Sequence, residues 1–287
     1  MSRYAIALLL AVTLLTGSAA MSPQQPPGAL PADSGAFVWH DLVTSNPAAC
    51  RLFYGSLLGW TFEAGAGIDP GYTIIKQDGV PIGGIVTLPP RTGASMVAQW
   101  LAYVVVADVD RAVEAFREAG GRVFRGPLDA RKDLRIAVVA DPQGAPIGLA
   151  SRGPEVTDTA LPALHRWLWM EYVARDAAAA LDFYGKALGF GHEISESREN
   201  FTYYLLTTDR PRAGLFLSPW KRETSAWLPY VRVADPAALA ARAAELGGTV
   251  ALPPRPGVRS GSLAIVLDPT GAPLALQKFP FETGVTQ

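Results

Sequence analysis

The sequence is poor in the residues that build disulfides and metal sites: it has one cysteine, Cys50, and three histidines in 287 residues. A single cysteine excludes an intramolecular disulfide, and histidines scattered at positions 40, 165 and 192 have no metal-ligand spacing. Charge is also nearly balanced, at a formal net −1, without a dense Lys/Arg run. We therefore expect neither a disulfide-stabilised scaffold nor a nucleic-acid partner.

The N-terminal twenty residues have the layout of a secretory signal. Arg3 precedes the apolar run AIALLLAVTLL, and small residues end the segment at Ala20. The run is too short to span a bilayer comfortably, so we expect cleavage near Ala20, export to the periplasm or medium, and no stable membrane anchor. An uncleaved anchor is the alternative. Residues 21–35 form a Pro-rich leader.

Most of the remaining chain is a tandem duplication. WHDLVTSNPAACRLFYGSLLGW at 39–60 matches WMEYVARDAAAALDFYGKALGF at 169–190, and WLAYVVVAD from Trp100 matches WLPYVRVAD from Trp227. The turn sequence DPQGAP likewise returns as DPTGAP. Taken with the N-terminal layout, the duplication predicts a signal peptide, a leader, two domains, a polar linker and a tail, with the bounds 1–20, 21–35, 36–152, 153–164, 165–280 and 281–287.

Each copy also contains two similar halves, in which a strand leads into a helix and then into several strands. One helix is predicted for 109–119 because Val109, Val113 and Phe116 form one apolar stripe and Gly120 follows. The strand predictions depend on β-branched and aromatic runs bounded by turn sequences. We therefore predict an α+β fold of four βαβββ modules.

With FYxxLxGW, FYxxALGF, VxDVDRAVEAFREAGG and the closing DPxGxP in this order, the chain resembles the vicinal oxygen chelate (VOC) superfamily, which includes glyoxalase I, bleomycin-resistance proteins and extradiol dioxygenases. The resemblance covers nearly all of residues 36–280. It implies that two modules pair into one domain around a cavity, so that this chain holds two VOC domains.

The resemblance also implies where metal ligands would stand. Three such positions can be matched in each domain, and they hold Trp39, Leu101 and Gly148 in the first and Trp169, Leu228 and Ala275 in the second. None of these side chains offers the oxygen, nitrogen or sulfur donors that hold divalent cations in proteins. We therefore expect no metal at the usual family site and no other cofactor.

Strand alternation divides the neighbours of Trp39 between two faces. If Trp39 faces the cavity, His40 faces the packed helix, as Met170 does in the second copy, and is structural. Asp41 shares the face of Trp39, as Glu171 shares that of Trp169. Taken with the facing strands, the candidate ligand-binding residues are Trp39, Asp41, Tyr103, Trp169, Glu171, Tyr230 and Arg232.

Two interpretations of these residues stay open. Asp41 and Glu171 could accept hydrogen bonds from Tyr103 and Tyr230 and only satisfy buried polar groups. Alternatively, the aromatic walls bind an apolar or planar molecule, and the carboxylate orients it or acts as a base.

Three functions follow. The favoured one is an exported small-molecule binding protein of bleomycin-resistance type, with an apolar or aromatic ligand. The alternatives are a glyoxalase- or dioxygenase-like enzyme, such as a lyase or isomerase using Asp41 or Glu171 as its catalytic residue, and a structural protein with filled cavities.

Overall fold

The computed structural model describes residues 33–65, 71–88, 98–152, 161–220 and 224–280. The predicted signal peptide, most of the leader, most of the linker and the tail lie outside these ranges. Within them, no helix combines the length and apolar character needed to cross a membrane.

The first half of the chain forms one eight-stranded mixed sheet in the order β2-β3-β4-β1-β5-β8-β7-β6. Its two helices are α1 and α2. The elements in chain order are β1 Phe37–Thr44, α1 Pro47–Leu58, β2 Thr61–Ala64, β3 Thr73–Gln77, β4 Val80–Thr87, β5 Gln99–Val105, α2 Val109–Glu118, β6 Arg122–Arg131, β7 Leu134–Ala140 and β8 Pro146–Ala150.

The second half repeats this arrangement in a second eight-stranded sheet, ordered β10-β11-β12-β9-β13-β16-β15-β14. A short 3₁₀ helix, Arg259–Gly261, is added between β14 and β15. The elements are β9 Trp167–Ala174, α3 Ala177–Leu188, β10 Gly191–Arg198, β11 Phe201–Thr207, β12 Pro211–Leu217, β13 Ala226–Val233, α4 Pro236–Glu245, β14 Thr249–Leu252, β15 Leu263–Leu267 and β16 Pro273–Lys278.

Local sequence explains where the helices begin and end. The side chains of Asp108 and Asp176 cap α2 and α3 by accepting hydrogen bonds from main-chain amides of the first turn. Gly59 and Gly189 follow α1 and α3 with a positive φ of 70°, a conformation that costs glycine little. The predicted helix at 109–119 is confirmed as Val109–Glu118, and the four βαβββ modules are confirmed as well.

Within each domain the two modules meet at one antiparallel strand pair, β1 with β5 and β9 with β13. One face of each sheet curves around a separate hydrophobic core. In the first domain, Trp39 of β1 and Leu134 of β7 belong to one buried cluster although their strands are far apart in the sheet, so the sheet curves around them. The candidate residues of the first domain line this concave face.

The helices and the opposite faces join the two domains. Phe116 of α2 packs edge-on against Phe183 of α3, with ring centroids 5.0 Å apart. The repeated motifs also meet here, because the Tyr54 hydroxyl of the first domain donates to Asp268 of the second at 3.1 Å. Symmetrically, the Tyr184 hydroxyl of the second donates to Asp141 of the first at 2.8 Å. The FY and DPxGxP motifs therefore hold the domains together.

Candidate functional site

His40 lies on the face that joins the domains, not in the cavity. Its ring stacks on Trp167 with centroids 4.0 Å apart, and its Nε2 lies 3.3 Å from the sulfur of Met170. Burial lowers the pKa of His40 to about 3, so the side chain is neutral at physiological pH. The prediction that His40 faces away from the cavity is confirmed, although it packs on a strand of the second domain and not on a helix.

The residues at the family's metal positions do not fit a metal ion. Trp39 and Leu101 present an indole and an isobutyl group, and the space that a side chain at Gly148 would need is taken by the ring of Tyr103, whose Cδ1 would lie 2.3 Å from an added Cβ. In the described part of the chain, no three His, Cys, Asp or Glu side chains are grouped closely enough to hold a metal.

The concave face of the sheet of the first domain encloses what we call the first cavity, and the corresponding face of the second domain encloses the second cavity. In the first cavity, Asp41 accepts hydrogen bonds from two aromatic side chains. The Tyr72 hydroxyl donates to Asp41 Oδ1 at 2.8 Å, and Trp39 Nε1 donates to the same oxygen at 3.0 Å. Tyr103 and Asp41 each affect the pKa of the other, but the Tyr103 hydroxyl makes no hydrogen bond of normal geometry with a described residue. The predicted pairing of Asp41 with Tyr103 is thus largely replaced by pairing with Tyr72 and Trp39.

The side chains that line this first cavity are buried. Trp39, Asp41 and Tyr103 are each at most 1% exposed, and Tyr72 is buried. Burial raises the pKa of Asp41 to about 7, against the opposing effect of the hydrogen bonds from Tyr72 and Trp39. A carboxyl group that solvent does not reach cannot act on a substrate without a substantial rearrangement, so the first domain matches the structural interpretation.

The second cavity repeats the network with different surroundings. Trp169 Nε1 donates to the Tyr203 hydroxyl at 3.1 Å, and that hydroxyl donates to Glu171 Oε1 at 2.9 Å. The Tyr230 hydroxyl donates to Glu171 Oε2, which is the contact named in the first of the two interpretations above. Trp169 and Tyr203 are only partly buried, unlike their counterparts Trp39 and Tyr72.

A cation also enters the second cavity from the loop before β15. Arg259 forms an ion pair and hydrogen bond with Glu171 through Nη2, and its Nη1 donates to Gln277 Oε1 at 3.3 Å. Its guanidinium carbon lies 5.2 Å from the ring centroid of Tyr230 and 5.8 Å from that of Tyr203. Burial opposes the charge, but the pKa of Arg259 is raised overall by Glu171 and the two tyrosines.

Arg232, which the sequence placed in this cavity, makes different contacts. Its Nε donates to the main-chain oxygen of Phe279 at 2.8 Å and its Nη1 to that of Pro162 at 2.7 Å. These carbonyls belong to segments that flank the end of β13. Strand alternation predicted that Arg232 shares the face of Tyr230, but it took no account of the neighbouring segments that bind its side chain. The cation beside Glu171 is Arg259, and not Arg232 as expected.

Partly exposed aromatic side chains extend the second cavity outward. The rings of Tyr203 and Phe216 stack at 6.3 Å, and Phe201, which is 38% exposed, lies 5.9 Å from Phe216. Val86 takes the place of Phe216 in the first domain, on the register that pairs Gly84 with Asp41 and Gly214 with Glu171. We call Trp169, Phe201, Tyr203 and Phe216 the aromatic wall.

The sequence did not single out Tyr72, Tyr203 or most of the aromatic wall, and it gave Arg259 no preferred role. One sequence signal for the tyrosines was available, because both copies carry a glycine at the matching position, Gly84 and Gly214. The structure shows why: a Cβ added at either glycine would lie 2.0 Å from the hydroxyl of Tyr72 or Tyr203. For Arg259 the sequence left two interpretations: the basic residues of its loop, PPRPGVRSGS, could meet an anionic ligand at a cavity mouth, but the composition favours a solvated surface loop.

Comparison with known protein families agrees with this architecture. The family model described as "Glyoxalase-like domain" matches residues 38–150, and the one described as "Glyoxalase/Bleomycin resistance protein/Dioxygenase superfamily" matches residues 166–276. The protein is thus a tandem pair of glyoxalase-like domains. The chain belongs to the glyoxalase, bleomycin-resistance and dioxygenase superfamily, that is, the VOC superfamily.

Named relatives align over most of the chain. "Putative glyoxylase CFP32" of Mycobacterium tuberculosis is 29% identical over 246 residues, covering 84% of this chain and 93% of that protein. "Anthracycline biosynthesis protein DnrV" of Streptomyces peucetius is 32% identical over 258 residues, covering 83% and 91%. Among solved structures, the Mn(II)-bound glyoxalase of Novosphingobium aromaticivorans matches with a TM-score of 0.58 at 12% identity, covering 86% of this chain and 82% of that one, which shows a shared fold.

Proposed function

We propose that this protein binds a small planar aromatic molecule in the cavity of its second domain, while the first domain serves as a structural partner. The observation that carries the proposal is the divergence of the two cavities. The first is sealed by Trp39, Tyr72 and Tyr103, whereas the second has an aromatic wall that solvent reaches in part.

The chemistry of the wall favours a flat, apolar ligand. Aromatic rings bind other rings in offset or edge-on geometry, and each such contact contributes about 0.5–1.5 kcal/mol beyond the burial of apolar area. Phe201, Tyr203 and Phe216 already contact one another with centroids 5.9–6.5 Å apart, so they present one continuous apolar surface. The anthracycline named in one relative belongs to a class of planar polycyclic aromatics, which supports the same ligand class.

The polar part of the site is suited to orientation more than to proton transfer. Glu171 already accepts from Tyr203, Tyr230 and Arg259, and its side chain is only 2% exposed. A carboxylate engaged in this way stabilises the shape of the cavity, and it would have to exchange a partner before it could take a substrate proton. Binding without chemistry is therefore the function that this geometry supports best.

The direct experiment is a thermal-shift screen of planar aromatic compounds, followed by calorimetric titration with the neutral probe anthraquinone-2-carboxamide. We expect Phe201→Ser to weaken binding roughly twofold to tenfold, corresponding to the loss of one aromatic contact. The matched control is Leu52→Ser, an exposed apolar residue on α1 outside the aromatic wall, which should leave affinity unchanged. If no planar compound binds, or if both variants bind equally well, the proposal is wrong.

A lyase or isomerase is the second candidate, favoured by the glyoxylase name of the mycobacterial relatives. It predicts that the bound compound is converted and that Glu171→Gln abolishes turnover. Chromatography of the recovered ligand decides between the two, because a binding protein returns it unchanged.

We further propose that the protein works outside the cytoplasm, on the basis of the charged, apolar and small-residue layout of residues 1–20.

A further inference from the structure

We propose that Arg259 selects the charge of the ligand: the second cavity takes planar aromatic molecules that carry an acidic oxygen, a carboxylate or an ionised phenol, and Arg259 binds that oxygen. This inference rests on the proposed function and extends it from the ring system of the ligand to its polar group.

The first observation is the number of donors that Arg259 leaves unused. A guanidinium carries five N–H donors in one plane. Among the described residues, Nη2 binds Glu171 and Nη1 binds Gln277 Oε1 at the long distance of 3.3 Å. Two of the five donors are thus used, which leaves three that make no hydrogen bond of normal geometry within the described chain. The rings of Tyr203 and Tyr230 lie beside the guanidinium, and Tyr203 also interacts with it strongly enough to raise the pKa of Arg259.

The second observation concerns which charge a ligand would meet. The side chain of Arg259 is 28% exposed and that of Glu171 is 2% exposed, so the positive partner of the ion pair faces outward. A ligand seated on the aromatic wall would reach the guanidinium before the carboxylate. Glu196, which lies opposite Tyr203 across β10 and β11, is itself paired with Arg198 and so does not neutralise this position.

The third observation is the backbone that presents Arg259. Both Arg259 and Ser260 have left-handed φ values, 45° and 52°, although neither is glycine. Such conformations are disfavoured for residues with a Cβ and persist where the surrounding contacts require them, often at binding sites. A loop that needed only to be solvated would have no reason to keep two consecutive residues in this region.

The test uses calorimetry to compare two probes with the same ring system, the anion anthraquinone-2-carboxylate and the neutral anthraquinone-2-carboxamide. We expect the wild-type protein to bind the acid at least about tenfold more tightly than the amide, the range of a hydrogen bond to a charged group. Arg259→Gln should remove this preference, so that the acid binds no more tightly than the amide. Arg232→Gln is the matched control, since Arg232 binds main-chain oxygens elsewhere, and it should keep the preference.

Two further variants distinguish the loss of the Arg259 contact from a folding defect. Arg259→Gln leaves Glu171 buried without its cation, so the double variant Glu171→Gln/Arg259→Gln is measured beside it and should show the same loss of preference. Glu171→Gln alone should strengthen binding of the acid, because it removes the internal anion that competes for Arg259. If the wild-type protein binds the acid and the amide equally well, or if Glu171→Gln binds the acid more weakly than the wild type does, the inference is wrong and the proposed function stands. If the protein binds neither probe, both are wrong.

Discussion

Asp41→Asn should make the protein more stable at alkaline pH, because it removes a buried carboxyl group that is costly to ionise. The pKa of Asp41 is raised by burial from 3.8 to about 7 in the folded chain. Because the pKa of this acid is raised on folding, the folded state keeps the proton of Asp41 to a higher pH than the unfolded state does. Stability therefore falls as pH rises from about 4 to 7, and the full cost is present above pH 7.

The size of the effect follows from linkage. With pKa values of 3.8 unfolded and about 7 folded, ionisation of Asp41 lowers the free energy of unfolding by roughly 2–3 kcal/mol between pH 5 and pH 8. Asparagine keeps a carbonyl oxygen for Tyr72 and Trp39 and offers an amide N–H toward the Tyr103 hydroxyl. The variant should thus lose the pH-dependent cost and retain the hydrogen bonds of the wild type.

Urea unfolding followed by tryptophan fluorescence at pH 5 and pH 8 measures the difference. Wild type should lose roughly 2–3 kcal/mol more than Asp41→Asn across this interval. Glu171→Gln is the matched comparison in the second domain, and it should lower stability at pH 8, because it leaves the charge of Arg259 without its partner. Parallel pH dependence in wild type and Asp41→Asn would refute the reasoning.

Two other predictions concern the joint between the domains and the N-terminus. Tyr54→Phe and Tyr184→Phe each leave a buried aspartate, Asp268 or Asp141, without one donor, and each should cost about 1–3 kcal/mol in denaturant unfolding; an unchanged midpoint for both would contradict the role given to the repeated motifs. Export predicts that the mature protein recovered from a secreting host begins at Met21, which intact mass spectrometry shows directly; a chain that retains residues 1–20 contradicts cleavage.

The fold was predictable because its information is repeated along the chain. The matching motifs around Phe53 and Phe183 and the paired DPxGxP turns define the modules before any strand is assigned. Strand alternation then separated His40 from Trp39 and Asp41 correctly, since a period of two leaves little freedom in a strand with one buried face.

The candidate site was only half predictable because it depends on contacts between distant elements. Tyr203 reaches Glu171 from β11, and Arg259 reaches it from a loop 88 residues further along, so neither is fixed by spacing within β9. Arg232 shows the opposite error: its strand position was suggestive, but main-chain oxygens outside the strand bind its side chain. Which cavity is sealed also depends on packing in three dimensions, because both copies carry the same tryptophan, carboxylate and tyrosines.

The stoichiometry of ligand binding tests the divergence of the two cavities most directly. Calorimetric titration of the full chain with a planar aromatic ligand should give one site per chain, lost or weakened by Trp169→Ala and kept in the first-domain variant Tyr72→Phe. Two equivalent sites per chain, or a single site that survives Trp169→Ala and is lost in Tyr72→Phe, would contradict the account.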